Sequence, residues 1–211
     1  MFGMFLKGVL TGLIFGVPAG AIGALTIQRT IRYGFITGLI TGLGSSVADL
    51  IYGFAGISGI TVISGFIENY SHYIQIAGGI FIALLGISMF KKEQETVTGN
   101  SSKGNMVFYF LSSFCAAIMN PASVLSFIAA FTMFGINGSL SFTESAGLLS
   151  GILAGTLCWW AALAGIVSIL RDRVTGKIYK ALNVILGSLM MVFGAAMVIK
   201  GATLVPAIAL K

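Results

Sequence analysis

The sequence predicts an all-α integral membrane protein whose six transmembrane helices form two inverted three-helix repeats. Three observations carry that expectation. Of the 211 residues 57% are hydrophobic and only 9% charged, with mean hydropathy +1.01, whereas soluble domains hold about 25% charged residues. The apolar residues gather into six runs of spanning length, about 20 residues each for a hydrocarbon core about 30 Å thick. Glycines then recur in order between the two halves: Gly38, Gly42 and Gly56 return 109 positions later as Gly147, Gly151 and Gly165, and Gly79 and Gly86 return 108 later as Gly187 and Gly194.

The first run, Met4 to Ile27, carries Gly8, Gly12, Gly16 and Gly20 at GxxxG spacing, which lets helix backbones approach closely. Pro18 lies inside it and lacks an amide donor, so the carbonyl of Ile14 four residues earlier loses its partner. Lys7 before an apolar stretch and Ala19-Gly20-Ala21 imitate a signal peptide; the repeat argues that the segment is retained. The second run, Gly34 to Ile57, holds Asp49 on a face of small residues, Gly38, Gly42, Ser45, Gly53 and Gly56. Ile60 to Ile67 is apolar but too short to span and reads as an interfacial segment. The third run is Tyr73 to Phe90, with His72 between Tyr70 and Tyr73 at an aromatic belt.

A polar stretch, KKEQETVTGNSSKGN, divides the halves. The expected organisation is residues 1–92 as the first repeat, 93–105 as a cytoplasmic linker and 106–211 as the second repeat. The fourth run, Met106 to Phe134, repeats the internal proline at Pro121, 103 positions after Pro18, and frees the carbonyl of Ala117. Asn120 precedes that break and offers an amide to the freed backbone or to a solute. The fifth run, Ser145 to Leu170, places Trp159 and Trp160 near its middle, and the sixth is Ile178 to Ile199. A unit of three crossings repeated once starts from the opposite side, which is the inverted-topology repeat of many secondary transporters.

Alternate connections collect Arg29 and Arg32, then Lys91, Lys92 and Lys103, then Arg171, Arg173, Lys177 and Lys180, nine of the twelve basic residues. That side is expected to be cytoplasmic and both termini outside, in the cell membrane. The charges stand in clusters and make no basic stripe, so nucleic acid is not an expected partner.

The chemistry concentrates at few residues. Asp49 is the single acidic residue deep in an apolar run, and a carboxylate at the bilayer centre costs roughly 2.5–3.5 kcal/mol on insertion scales. With no basic residue at similar depth, a proton or bound cation is expected to neutralise it. Pro18 and Pro121 mark two broken helices that expose half-helix ends to a polar substrate, and Trp159 is a candidate lining residue. The candidate substrate and coupling residues are thus Pro18, Asp49, Asn120, Pro121 and Trp159. No cofactor, catalytic group or metal set is expected: the one histidine stands at an interface and Cys115 and Cys158 have no CxxC spacing.

FGVPAG around Pro18, GLGSSVADLIYG around Asp49 and MNPASVLSF around Asn120 and Pro121 make the chain similar to the LysE/RhtB family of amino-acid exporters over nearly its whole length. The resemblance implies a six-helix exporter in the cytoplasmic membrane, driven by an ion gradient, with amino acids or related small solutes as substrate, membrane lipid as surroundings and no enzymatic activity. A homodimer stays open as its assembly. The usual Pro-Gly-Pro of the family's first helix is Pro18-Ala19-Gly20 here, and the usual glycine before the acidic residue is Ala48; both departures bear on substrate. Two alternatives share the scaffold type. A thiol-disulfide electron carrier needs one reactive cysteine from each half, and here both lie in the second. A cation or metal exporter needs several intramembrane ligands, and Asp49 stands alone.

Overall fold

Charge is scarce and apolar sequence long, so backbone hydrogen bonds must close within each segment, and helices result. The computed structural model describes residues 1–16, 20–57, 61–90, 105–136 and 140–208, and among these the regular elements are helices, with no strand. In chain order they are α1 (Phe2–Phe15), α2 (Ala21–Tyr33), α3 (Phe35–Ile57), α4 (Thr61–Phe90), α5 (Met106–Ile118), α6 (Pro121–Met133), α7 (Phe142–Leu170), a single 3-10 turn (Arg171–Arg173) and α8 (Gly176–Ile208).

Four of the six predicted runs hold stretches long and apolar enough to cross a membrane: Phe35–Ile57, His72–Phe90, Phe142–Arg173 and Gly176–Thr203. The first and fourth runs are each divided into two shorter helices, α1 with α2 and α5 with α6. Residues 61–67, expected as a separate interfacial piece, are instead the first turns of the 30-residue α4. Pro18, Lys91, Lys92, Lys103 and all of the predicted linker except Asn105 lie outside the described residues.

Local signals set the helix ends. Gly34 alone separates α2 from α3 with φ of 92°, a left-handed backbone that a side chain resists. Gly20 opens α2 with φ of 77°. Asn105 accepts from the Phe108 amide at 3.1 Å to start α5. Ser141 and Glu144 form a capping box at the start of α7, the Ser141 amide donating to Glu144 Oε2 at 3.0 Å.

Three close helix pairings organise the bundle. α4 runs antiparallel to α8, with Gly79 against the backbone of Gly194, Gly86 against Gly187 and Gly201 against His72. α1 runs parallel to α7, with Gly8 on Leu148 and Gly151 and Gly12 on Ile152 and Gly155. α3 runs parallel to α5, with Gly44 on the backbone of Phe110 and Phe114. In each pairing a glycine removes the Cβ that would hold the backbones apart, the contact that drives association where lipid is the solvent. Apolar clusters fill the remaining space, one formed by Ala24 and Leu25 of α2 with Ile82, Leu186 and Met190, the other by Ile57, Phe127, Phe131, Leu148 and Ile152. Large side chains such as Leu84, Ile166, Val192 and Ile199 are exposed on the outer faces, as a lipid environment permits.

Candidate functional site

The two helix interruptions dictate the site, because each leaves carbonyls without a helical partner. At the second one, Pro121 begins α6 and the carbonyl of Ala117 is released as predicted. It accepts from the backbone amide of Asn120 at 2.9 Å and from the Tyr52 hydroxyl at 3.3 Å, and the same hydroxyl donates to the carbonyl of Ile118 at 2.5 Å. Tyr52 of α3 therefore closes the end of α5. At the first interruption the indole Nε1 of Trp159, on α7, donates to the carbonyl of Leu13 at 2.6 Å. The satisfied carbonyl is that of Leu13, one residue before the predicted Ile14.

Each broken pair is thus finished by an aromatic donor from the long helix that runs parallel to it. Trp159 was expected as a lining residue; its polar atom is engaged in this cap and its side chain is half-buried. Its neighbour Trp160 is buried and lies on Gly42 of α3, where any Cβ would fall inside the indole.

Asp49 is 8% exposed. On its face of α3, Gly42 meets Trp160, the Ser46 hydroxyl accepts from Thr156 Oγ1 at 2.9 Å and Gly53 meets Ile152 and Leu149. Asp49 is three residues past Ser46 and four before Gly53, so it belongs to that same α7-facing ridge. Its level is the Ile152–Thr156 stretch of α7, against which Gly12 and Gly16 at the end of α1 also rest. Tyr52 is one turn further along α3. The structure so brings Asp49, the end of α1, the α5–α6 interruption and Trp159 into one central zone. Pro18 lies outside the described residues. Among the described residues no cationic side chain forms an ion pair with Asp49.

Arg29 corrects an expectation. It was counted among loop charges, yet it sits in α2 and is 4% exposed. Its guanidinium donates to the Tyr109 carbonyl at 2.9 Å, Ser112 Oγ at 2.7 Å and Thr41 Oγ1 at 3.3 Å, and lies 4.8 Å from the Tyr109 ring centre. A buried charge is tolerable only when its donors are taken up in this way. Midway along α1, Lys7 Nζ donates to the carbonyl of Phe134, just after α6, at 2.8 Å. Tyr52, Ser46 and Thr156 were not singled out from sequence either. Tyr52 and Ser46 are within the GLGSSVADLIYG segment that carries Asp49.

The family model described as LysE type translocator matches residues 13–201, from the cap acceptor Leu13 to Gly201 on α8. The chain belongs to the LysE type translocator family. Among its relatives is the protein named "Putative amino acid efflux protein YcgF" of Bacillus subtilis, 26% identical over 196 residues that cover 90% of this chain and 92% of the relative. The chemotactic transduction protein ChpE of Pseudomonas aeruginosa is 24% identical, covering 81% of this chain and 85% of its own. The uncharacterized membrane protein YahN of Escherichia coli is 21% identical, with 80% and 77% covered. No solved structure matches the chain significantly. A LysE type translocator with four long apolar helices is a transmembrane transporter.

Proposed function

We propose that this chain is a secondary transporter that exports amino acids or related small solutes across the cell membrane, coupled through Asp49 to the proton or cation gradient. The observation that carries the proposal is a buried carboxylate, Asp49, one turn from the Tyr52 hydroxyl that caps the α5–α6 interruption and level with the α7 stretch on which the end of α1 rests. Interrupted helices present amide and carbonyl ends to a polar solute inside the bilayer. A lone carboxylate there takes up a proton or cation as the cycle turns. Membership of the translocator family and the efflux name of the Bacillus subtilis relative support export.

Two inverted three-helix halves, residues 1–92 and 106–211 around the 93–105 linker, are the architecture we assign to this function. Contact partners support it. Gly79 meets Gly194 and Gly86 meets Gly187, while the sequence equates Gly79 with Gly187 and Gly86 with Gly194. Such exchange of partners is what a two-fold relation between halves requires. The α1–α7 and α3–α5 pairings correspond in the same sense. Both termini are assigned to the outside and the linker to the cytoplasm.

The experiment is counterflow: purified protein in proteoliposomes preloaded with single amino acids, with uptake of the labelled form measured. Exchange of at least one amino acid above protein-free vesicles is expected. Protein that is monodisperse yet exchanges no member of the full panel overturns the assignment.

A further inference from the structure

α1 rests on α7 and α5 on α3, and the two broken helix pairs meet where α1 approaches α6 and where α2 approaches α5. Each of these meeting points is held by one cation. At one, Lys7 Nζ reaches the Phe134 carbonyl at 2.8 Å; at the other, Arg29 reaches the Tyr109 carbonyl at 2.9 Å. Both cations come from α1 and α2, and both carbonyls from the α5–α6 segment.

Helix α7 measures how far apart they are. Gly8, next to Lys7, lies on Leu148; Thr30, next to Arg29, shares the Gly38 contact with Ala164. Sixteen residues from 148 to 164 span about 24 Å at 1.5 Å per residue, most of the thickness of a hydrocarbon core. Ser46, Asp49, Tyr52 and Thr156 fall between.

We propose that Lys7 and Arg29 are the two gates of the solute pathway, each a cation clasped on a carbonyl of the opposite broken pair, closing opposite ends of the space that contains Asp49. The proposal rests on the transporter reading above. A carbonyl acceptor suits a gate. Neither cation has a carboxylate partner among the described residues, so each bond is strong enough to close an end and weaker than an ion pair to break. The acceptor of Lys7 lies in the turn after α6, next to Gly135, whose φ is 60°, and Phe134 is the one acceptor of that cation among the described residues. Arg29 is held more firmly, by Thr41, Ser112 and the Tyr109 ring in addition, and the Tyr33 ring packs against Tyr109 in a tilted pair with centroids 5.3 Å apart. The Lys7 end is therefore the readier to open.

The test places one thiol between the clasps. In a Cys115→Ala, Cys158→Ala background, Ser46→Cys is labelled with the membrane-impermeant reagent methanethiosulfonate ethyltrimethylammonium, added to either face of right-side-out and inside-out vesicles. Lys7→Ala should raise the labelling rate from one face only, and Arg29→Ala from the other face only, each by about tenfold, as for a state of a few per cent made dominant. Lys7→Arg keeps a cationic donor and should stay near the parent, whereas Arg29→Lys keeps the charge with fewer of its contacts and should fall between the parent and Arg29→Ala. Arg29→Gln replaces Arg29→Ala if the latter yields no monodisperse protein. Both variants opening the same face, both opening the two faces equally, or no change in either would overturn the gates. Counterflow by the parent is measured separately: exchange with unchanged labelling rejects the gates alone, and one-sided labelling without exchange rejects the transporter reading alone.

Discussion

Trp159 Nε1 lies 2.6 Å from the carbonyl oxygen of Leu13, so the last turn of α1 is completed by a residue 146 positions later in the chain. Tyr52 does the same for Ile118 at the end of α5. Replacing Trp159 by Phe keeps an aromatic side chain but removes the indole N–H, so the part-buried Leu13 carbonyl loses this donor at a cost of about 1–3 kcal/mol. Tyr52→Phe should cost a similar amount at Ile118. Thermal unfolding in detergent should fall for both, while the Trp159→Phe, Tyr52→Phe double variant loses about the sum, since the two caps share no partner. Unchanged melting of both single variants would show the caps to be incidental.

Asp49→Asn keeps the shape and removes the titratable charge. The variant should insert and remain monodisperse, because it removes an intramembrane charge that costs roughly 2.5–3.5 kcal/mol. Accumulation against a gradient in proteoliposomes should be lost while passive exchange persists. A wild-type pH dependence in this variant would remove Asp49 from the coupling step.

Glycines of the same repeat pattern should differ sharply. A Cβ on Gly151 meets backbone, the Val9 nitrogen at 2.9 Å and the Gly8 Cα at 3.0 Å, whereas one on Gly165 meets nothing within 4 Å. Gly151→Leu should therefore yield little monodisperse protein, for backbone cannot yield as a side chain does. Gly165→Ala should be neutral or gain up to about 1 kcal/mol of helix propensity. Size-exclusion profiles of the two variants provide the comparison.

Cys115 is half-buried and Cys158 exposed, and both are free thiols. Cys115→Ala together with Cys158→Ala should leave counterflow within about twofold of the parent, because small apolar contacts are all that is removed. Complete loss of transport in well-expressed protein would revive a redox role.

What the sequence made legible was whatever the bilayer punishes. A proline inside an apolar run and an acid inside another are costly wherever the neighbours sit, so the α5–α6 interruption at Pro121 and the buried position of Asp49 could be read without knowing the packing. The partners could not. Tyr52 and Trp159 are ordinary aromatic residues until α3 and α7 are laid along the broken pairs, and the choice of Leu13 over Ile14 depends on where the indole reaches. Arg29 misled for a related reason: a basic residue near the end of an apolar run has the same composition signal whether it sits in a loop or buried in the last turns of a helix. Residues 61–67 misled because Gly56, Ser58 and Gly59 separate them from the second run and the segment is too short to span by itself, while propensity alone cannot say where the next helix begins.

The cap on α1 also carries a timetable. A ribosome extending the chain at about 5–20 residues per second needs roughly 7–30 s to travel the 146 residues from Leu13 to Trp159. Throughout that interval the first interrupted helix is without the indole that finishes it. A nascent chain that ends before α7 therefore lacks the donor that closes its own first helix, and the α1 cap can form only after the fifth apolar run has been made.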